Sequence, residues 1–221
     1  MDKPRASRNN PPMTAVAPPL LEARALTFLR QDEPVFGPID FALHAGEIAL
    51  VEGDNGSGKT TLMRVLTGML RAGGGEVLLD GTPFALDEVA GEVVFLGHQL
   101  GLKNDLSPRE NLALAQALYG RREGASLTAT LVEVGLGGYE DEPVRRLSAG
   151  QKKRAALARL LLLPARIWLL DEPYANLDRE GIALVNRLVD AHATRGGAAL
   201  VTSHGAVSFA GEAPRRIRLH A

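Results

Sequence analysis

The sequence predicts an α/β fold: a mostly parallel sheet covered by helices, preceded by an antiparallel β region and interrupted by a helical insert. Three observations carry that expectation. Beyond residue 147, helix-period segments alternate with short apolar runs. Residues 20 to 50 read instead as short strands joined by turns. Residues 104 to 146 hold two helix starts in succession and no strand-like run.

In chain order, LEARAL (21–26) and IDFALH (39–44) read as strands on either side of a polar RQDEP break (30–34). EIALVEG (47–53) is an apolar run suited to a buried strand. After GDNGSG, the positions Leu62, Met63, Val65, Leu66, Met69 and Leu70 recur at helical spacing until Gly73–Gly75 end them. EVLLDG (76–81) and EVVFLG (92–97) are two further strands, the first closed by an Asp-Gly turn signal. Ser107-Pro108-Arg109-Glu110 combines an N-cap, a proline at the first helical position and a capping-box Glu, opening a helix that ends near Gly120. A second helix spans Ser126 to Val134. Then come a helix over 149–163, strand IWLL (167–170), a helix over 179–194, strand AALVTS (198–203) and strand-like RIRL (216–219).

The chain has 221 residues, of which 45% are apolar, with a mean hydropathy of -0.02, the profile of a packed globular protein. Lys+Arg 25 against Asp+Glu 26 leaves a formal charge of -1, so no nucleic-acid partner is expected. The absence of cysteine excludes disulfides, thiolate metal sites and a thiol nucleophile, and suits the cytosol. Residues 1–19 are polar and proline-rich, with no apolar run fit for a signal peptide or anchor, and are expected to form a flexible tail; Met13 offers a second start. LLLLPARIWLL (160–170), broken by Pro164 and Arg166, falls short of the roughly 20 apolar residues that span a bilayer. Any membrane association is therefore expected to run through partners.

GDNGSGKT (53–60) fits G-x-x-x-x-G-K-[ST], a loop whose backbone N–H groups wrap nucleotide phosphates. Gly53, Gly56 and Gly58 permit torsions and approaches that a Cβ would obstruct. Lys59 reaches the outer phosphates, Thr60 offers a hydroxyl to Mg²⁺, and the helix start adds its positive end. The remaining loop positions, Asp54, Asn55 and Ser57, and the adjoining Thr61 complete the expected ATP cradle. IWLLDE (167–172) is an apolar strand ending in two carboxylates. Asp171, at the strand edge, suits the Mg²⁺ shell, and Glu172 can serve as general base for the attacking water, a role worth roughly 10²–10⁴-fold. His204, just past the last long apolar strand, belongs where open parallel sheets gather ligands, as a γ-phosphate or water-orienting group. LSAGQ (147–151) fits a capping box, Ser148 with Gln151, and a helix start of that kind also receives anions.

In this order GDNGSGKT, Gln99, LSAGQ, IWLLDEP, ANLD (175–178) and His204 resemble the nucleotide-binding subunits of ABC transporters, over about residues 20 to 221. The resemblance implies a P-loop NTPase core of RecA-like type (20–103 and 147–221), with residues 104–146 as the helical subdomain. It implies two copies facing head to tail, with Ser148, Ala149, Gly150 and Gln151 of one gripping the ATP seated on the loop of the other and Asp178 contacting across the dimer. It gives Gln99 a place in the Mg²⁺ and water shell and in signalling to integral membrane subunits, beside Glu172 and His204. FLGHQLGLK (95–103), LSPRENL (106–112) and RRLSAGQKKRAALARL (145–160) are similar, more narrowly, to the haem-exporter ATP-binding subunits of cytochrome c biogenesis, the CcmA family. That likeness implies ATP hydrolysis that powers haem export or the release of haem from a chaperone, at a peripheral place on the cytoplasmic face of the bacterial inner membrane in a haem-export complex; the alternatives are an ABC transporter ATPase for a different substrate and a soluble ABC ATPase of translation or DNA repair. Phe28 and Arg30 are the alternatives for stacking on adenine. His98 is expected to be a packing residue rather than a haem ligand.

Overall fold

The computed structural model describes residues 17–84, 91–203, 209 and 214–219, so the proline-rich stretch up to residue 16 lies outside it. Strands β1 (Leu21–Arg30) and β2 (Glu33–Leu43) form an antiparallel hairpin. They are longer than the sequence implied. The polar break shrinks to Gln31 and Asp32, whose φ values of 52° and 65° form the two-residue turn that matches strand twist, so pairing continues to Arg30↔Glu33. Strand β3 (Ile48–Glu52) leads through the glycine loop into α1 (Lys59–Leu66). That helix stops four residues before Leu70, because Gly68 at φ 72° donates to the Val65 carbonyl and turns the chain out, leaving Met69 exposed. Strand β4 (Gly74–Leu79) pairs with β1 and, through the expected turn at Asp80-Gly81, with the short β5 (Thr82–Pro83). The antiparallel sheet therefore runs β2-β1-β4-β5.

Strand β6 (Val93–Leu96) opens the second sheet. Helix α2 (Pro108–Tyr119) carries the Ser107–Glu110 capping box in full, and α3 (Leu127–Glu133) is capped by Ser126. A short 3₁₀ turn at Val144–Arg146 then leads into α4 (Ala149–Leu162), whose capping box joins Ser148 and Gln151 as expected. Strand β7 (Ile167–Asp171), helix α5 (Arg179–Thr194) and strands β8 (Ala198–Thr202) and β9 (Arg215–Arg218) complete the described chain. The second sheet is parallel, in the order β6-β7-β8-β3-β9.

Strands β7 and β8 are buried along their whole length, and their alternating side chains feed two cores. Ile167, Leu169 and Leu200 face a core shared with α1 and the antiparallel sheet, including Leu26, Phe36 and Leu62. Trp168, Leu170 and Val201 face a core shared with α4 and α5, which extends to Leu112 of α2 and Leu131 of α3. Arg122 closes the far end of α4, its guanidinium donating to the carbonyls of Leu160 and Leu163 and its N–H to that of Leu162. The catalytic-looking residues thus lie at the carboxyl ends of strands clamped from both faces. Among the described residues, no helix is long and apolar enough to cross a membrane.

Candidate active site

The glycine loop is pressed against the antiparallel sheet. Gly58, at φ 90°, caps α1, and a Cβ there would stand 3.0 Å from Val35 Cγ1 and 3.2 Å from the Phe36 ring, so only glycine fits. Lys59 is buried, and its ammonium donates to the loop carbonyls of Gly53 (2.6 Å) and Asp54 (2.9 Å), bracing the cradle from inside. The buried Ser57 hydroxyl has no hydrogen-bond partner among the described residues.

Sheet register assembles the second part of the site. Asp171 pairs with Thr202 across β7 and β8, while β8 runs beside β3, so the end of β7 comes level with the start of α1. The Asp171 carboxylate, only 1% exposed, accepts from Thr60 Oγ1 at 2.7 Å and from Thr202 Oγ1 at 2.8 Å. The Thr202 oxygen in turn accepts the Glu172 N–H at 2.9 Å. On the far side of that residue, Lys153 Nζ of α4 donates to the Glu172 carbonyl at 3.1 Å. Glu172 holds a left-handed backbone, φ 50°, unusual for a residue with a side chain and characteristic of functional corners. Its side chain lines a cavity of about 220 Å³ together with Asn55, Gly56, Lys59 and Thr60.

Gln99 is exposed and lines a larger neighbouring cavity of about 770 Å³, which also touches Thr60. His98 departs from the expected packing role: its side chain is 64% exposed and stands 3.9 Å from the Glu172 carboxylate. A Cβ on the preceding Gly97 would lie 2.7 Å from the Phe95 ring. Arg30 lines the small cavity, whereas Phe28 stacks on Phe36 with centroids 6.2 Å apart and packs against the core. His204 lies outside the described residues.

A second group forms elsewhere in the chain. Ser148 and Ala149 are exposed at the start of α4, and none of residues 148–151 lines the phosphate-loop cavity. Beside them, Asp178 caps α5 by accepting the Gly181 N–H and also accepts from Arg154 of α4 at 3.1 Å; its ordinary acidity is increased first by that capping N–H, then by Arg154. A Cβ on Gly150 would meet the Asn176 carbonyl at 3.4 Å. The structure therefore unites Gly53–Thr61 with Asp171 and Glu172, and places Gly150 by Asn176 while Arg154 of the same helix holds Asp178. It does not bring the two groups into one cavity.

Two residues of the site escaped the sequence reading. Thr202 stands in a plain VTS run, and only sheet register gives it Asp171 as a partner. Lys153 had a readable signal: it falls on the buried stripe of α4 with Ala156, Leu157 and Leu160. Burial pushes its amine below the usual lysine range, opposed by the Asp171 and Glu172 charges.

The chain has counterparts among known proteins in sequence and in fold. The ABC transporter family profile matches residues 36–175. A cytochrome c biogenesis ATP-binding export protein CcmA of Xanthomonas campestris pv. campestris is 57% identical over 205 residues, 93% of this chain and 96% of that protein. A protein of the same description from Yersinia pseudotuberculosis is 43% identical, over 86% of this chain and 89% of its own. Among solved structures, a putative ABC transporter ATP-binding protein from Pyrococcus furiosus superposes with a TM-score of 0.76 at 26% identity, covering 90% of this chain and 97% of that one. The chain belongs to the ABC transporter family, as an ATPase subunit in the branch of the cytochrome c biogenesis ATP-binding export proteins.

Proposed function

We propose that two copies of this chain close head to tail over two molecules of Mg²⁺-ATP, and that their hydrolysis drives a membrane complex delivering haem for cytochrome c biogenesis. The observation that carries the catalytic part is the bonded chain Thr60–Asp171–Thr202–Glu172, which fixes the loop hydroxyl, a buried carboxylate and a candidate base in one frame. Gly53 to Gly58 and Thr61 wrap the phosphates, and Lys59 turns from its loop carbonyls to the outer phosphate oxygens.

The oxygen donors present suit a hard cation: the Thr60 hydroxyl and Asp171 carboxylate lie 2.7 Å apart, and the Gln99 amide shares a cavity wall with Thr60. Mg²⁺ would be held by these residues and would neutralise charge on the β- and γ-phosphates. Glu172 accepts a proton from the attacking water as its oxygen joins the γ-phosphorus and the bond to ADP breaks. His204 orients that water or the γ-phosphate.

Ser148, Ala149, Gly150 and Gln151 reach the γ-phosphate of the other copy, with Asp178 beside them at the dimer seam. The exposure of Ser148 and Ala149 at a helix start outside the chain's own cavity supports this role. Arg30, on the cavity wall, stacks on adenine, while Phe28 serves the core. The larger cavity, with Gln99 beside the exposed Met69, Leu118 and Tyr119, receives a segment of the membrane subunit. The assembly sits on the cytoplasmic face of the bacterial inner membrane. The names of the curated relatives support the assignment to cytochrome c biogenesis.

Isolation of the chain from its native membrane tests the proposal. It should arrive with integral membrane subunits of a cytochrome c biogenesis complex and show ATP turnover that Glu172→Gln abolishes. Recovery with an unrelated permease would overturn the haem assignment, and undiminished turnover in the variant would overturn the role of Glu172.

A further inference from the structure

Lys153 stands apart from the residues that the ATPase reading uses. It lies on α4, one turn beyond the Ser148 cap, yet it is directed inward, and the residue as a whole is 5% exposed. There it donates to the Glu172 backbone carbonyl at 3.1 Å. The opposite end of the same residue donates its N–H to Thr202 at 2.9 Å. Glu172 is thus held at both backbone polar groups while its φ of 50° keeps it in the left-handed region. A bond to an ammonium is stronger than one to a neutral donor, and here it is partly shielded from water.

Leaving an amine in the interior is costly, which is why burial pushes its basicity down. An apolar residue would suit the stripe of Ala156, Leu157 and Leu160 on which Lys153 lies. The amine therefore calls for a local reason, and its contact is the carbonyl of Glu172. Gly150, in the same first turns of α4, lies against the Asn176 carbonyl in the segment that follows Glu172. The start of α4 is consequently bonded to the carboxylate-bearing corner of its own chain through Lys153 and packs close to the segment that follows it at Gly150.

We infer that Lys153 is a positioning residue for ATP hydrolysis: it fixes the Glu172 corner and couples the seating of the α4 start on the second copy's nucleotide to alignment of Glu172 in its own site. The inference rests on the proposed role of Glu172 as base. Misplacing a reacting group by about 1 Å costs on the order of 10²-fold in rate, so the effect belongs in kcat.

The test compares Lys153→Met, Lys153→Arg and Glu172→Gln in the full chain within its native membrane complex, measuring kcat, KM for Mg²⁺-ATP and thermal melting. Lys153→Met should lower kcat by about 10- to 100-fold with KM within about twofold of wild type. Lys153→Arg, which retains a cationic donor, should restore most of the rate. In the Glu172→Gln background, Lys153→Met should add no further loss, because a positioning residue has nothing left to position. Should Lys153→Met fail to fold, Lys153→Gln takes its place, since its amide is one atom shorter and falls short of the carbonyl.

An unchanged kcat in the neutral variant, a loss carried by KM, or a loss that adds in full to that of Glu172→Gln would each overturn the inference. A Glu172→Gln enzyme that still turns over at the wild-type rate defeats the reading beneath it instead, so the two failures are distinct.

Discussion

The phosphate loop and the start of α4 are both fit to meet phosphate, but their polar groups are satisfied in opposite ways. Around the loop, Lys59 bonds to loop carbonyls, Thr60 to Asp171, and Asp171 to Thr202, all within one chain and largely out of water. At the start of α4, the capping box links Ser148 and Gln151, both cap hydrogen bonds are exposed, and the cradle lies in a different cavity. One region is preorganised by its own chain, and the other presents a capped helix start outward, of the kind that can receive an anion. In the proposed head-to-tail pair, each copy would lend what the other lacks.

The sharpest way to break that comparison is Glu172→Gln. It leaves both regions intact as binders and removes the proposed base, so turnover should fall roughly 10²–10⁴-fold while ATP-driven pairing persists or strengthens. Single-turnover ATP hydrolysis, followed beside size-exclusion chromatography with ATP, reads both. Loss of pairing together with turnover would mean that Glu172 builds the site rather than serving it.

A second test loads the parallel sheet at the amino ends of β7 and β8, opposite the site. His192 is stacked on Trp168 at a centroid distance of 3.8 Å and bonds to the Arg166 carbonyl. Burial, reinforced by Arg122 and Arg195 against the backbone bonds to Arg166 and Ala198, pushes its imidazole down to about 4 from an ordinary 6.5. Because the folded value lies below the unfolded one, the unfolded chain binds more protons in that window. This contribution is complete above pH 6.5 and is lost as pH falls through the window to 4, on the order of 3 kcal/mol in all. Urea midpoints measured from pH 7 to 4 should show that loss, and His192→Phe should flatten it. An equally steep acid limb in the variant would assign the loss to other groups.

Ser148→Ala has the smallest expected effect on the fold and sharpens the contrast most. Losing the cap should cost about 1 kcal/mol of stability. Losing a phosphate contact in trans should weaken ATP-driven pairing by about tenfold, while nucleotide binding to the separate chain is unchanged. Titration of a fluorescent ATP analogue at dilute and concentrated protein separates the two. Weaker binding at high dilution would place Ser148 in the chain's own site and dissolve the comparison.

Much of this was legible in the amino-acid order because local chemistry dictated it. The glycine loop, both capping boxes and the alternation of buried strand with helix each depend on neighbours within a few residues. The hairpin was harder, since RQDEP has the composition of a break, while only Gln31 and Asp32 take turn geometry. Helix α1 was overestimated because Met69 and Leu70 continue the apolar spacing past Gly68. What sequence concealed were partnerships set by register and helix crossing: Thr202 with Asp171, 31 residues apart, and Lys153 with Glu172, 19 apart. The exposed place of His98 beside Glu172 was concealed likewise, for the two meet only in the fold.

The most direct test of the head-to-tail claim uses the absence of native cysteine. Two singly substituted chains, Asn55→Cys and Ala149→Cys, each also carrying Glu172→Gln, are mixed and oxidised with or without Mg²⁺-ATP. Both positions are exposed, one on the cradle and one at the start of α4. The account predicts disulfide-linked dimers containing one chain of each kind, formed only when nucleotide is present. Absence of such mixed dimers under ATP, or their equal formation without it, would contradict it.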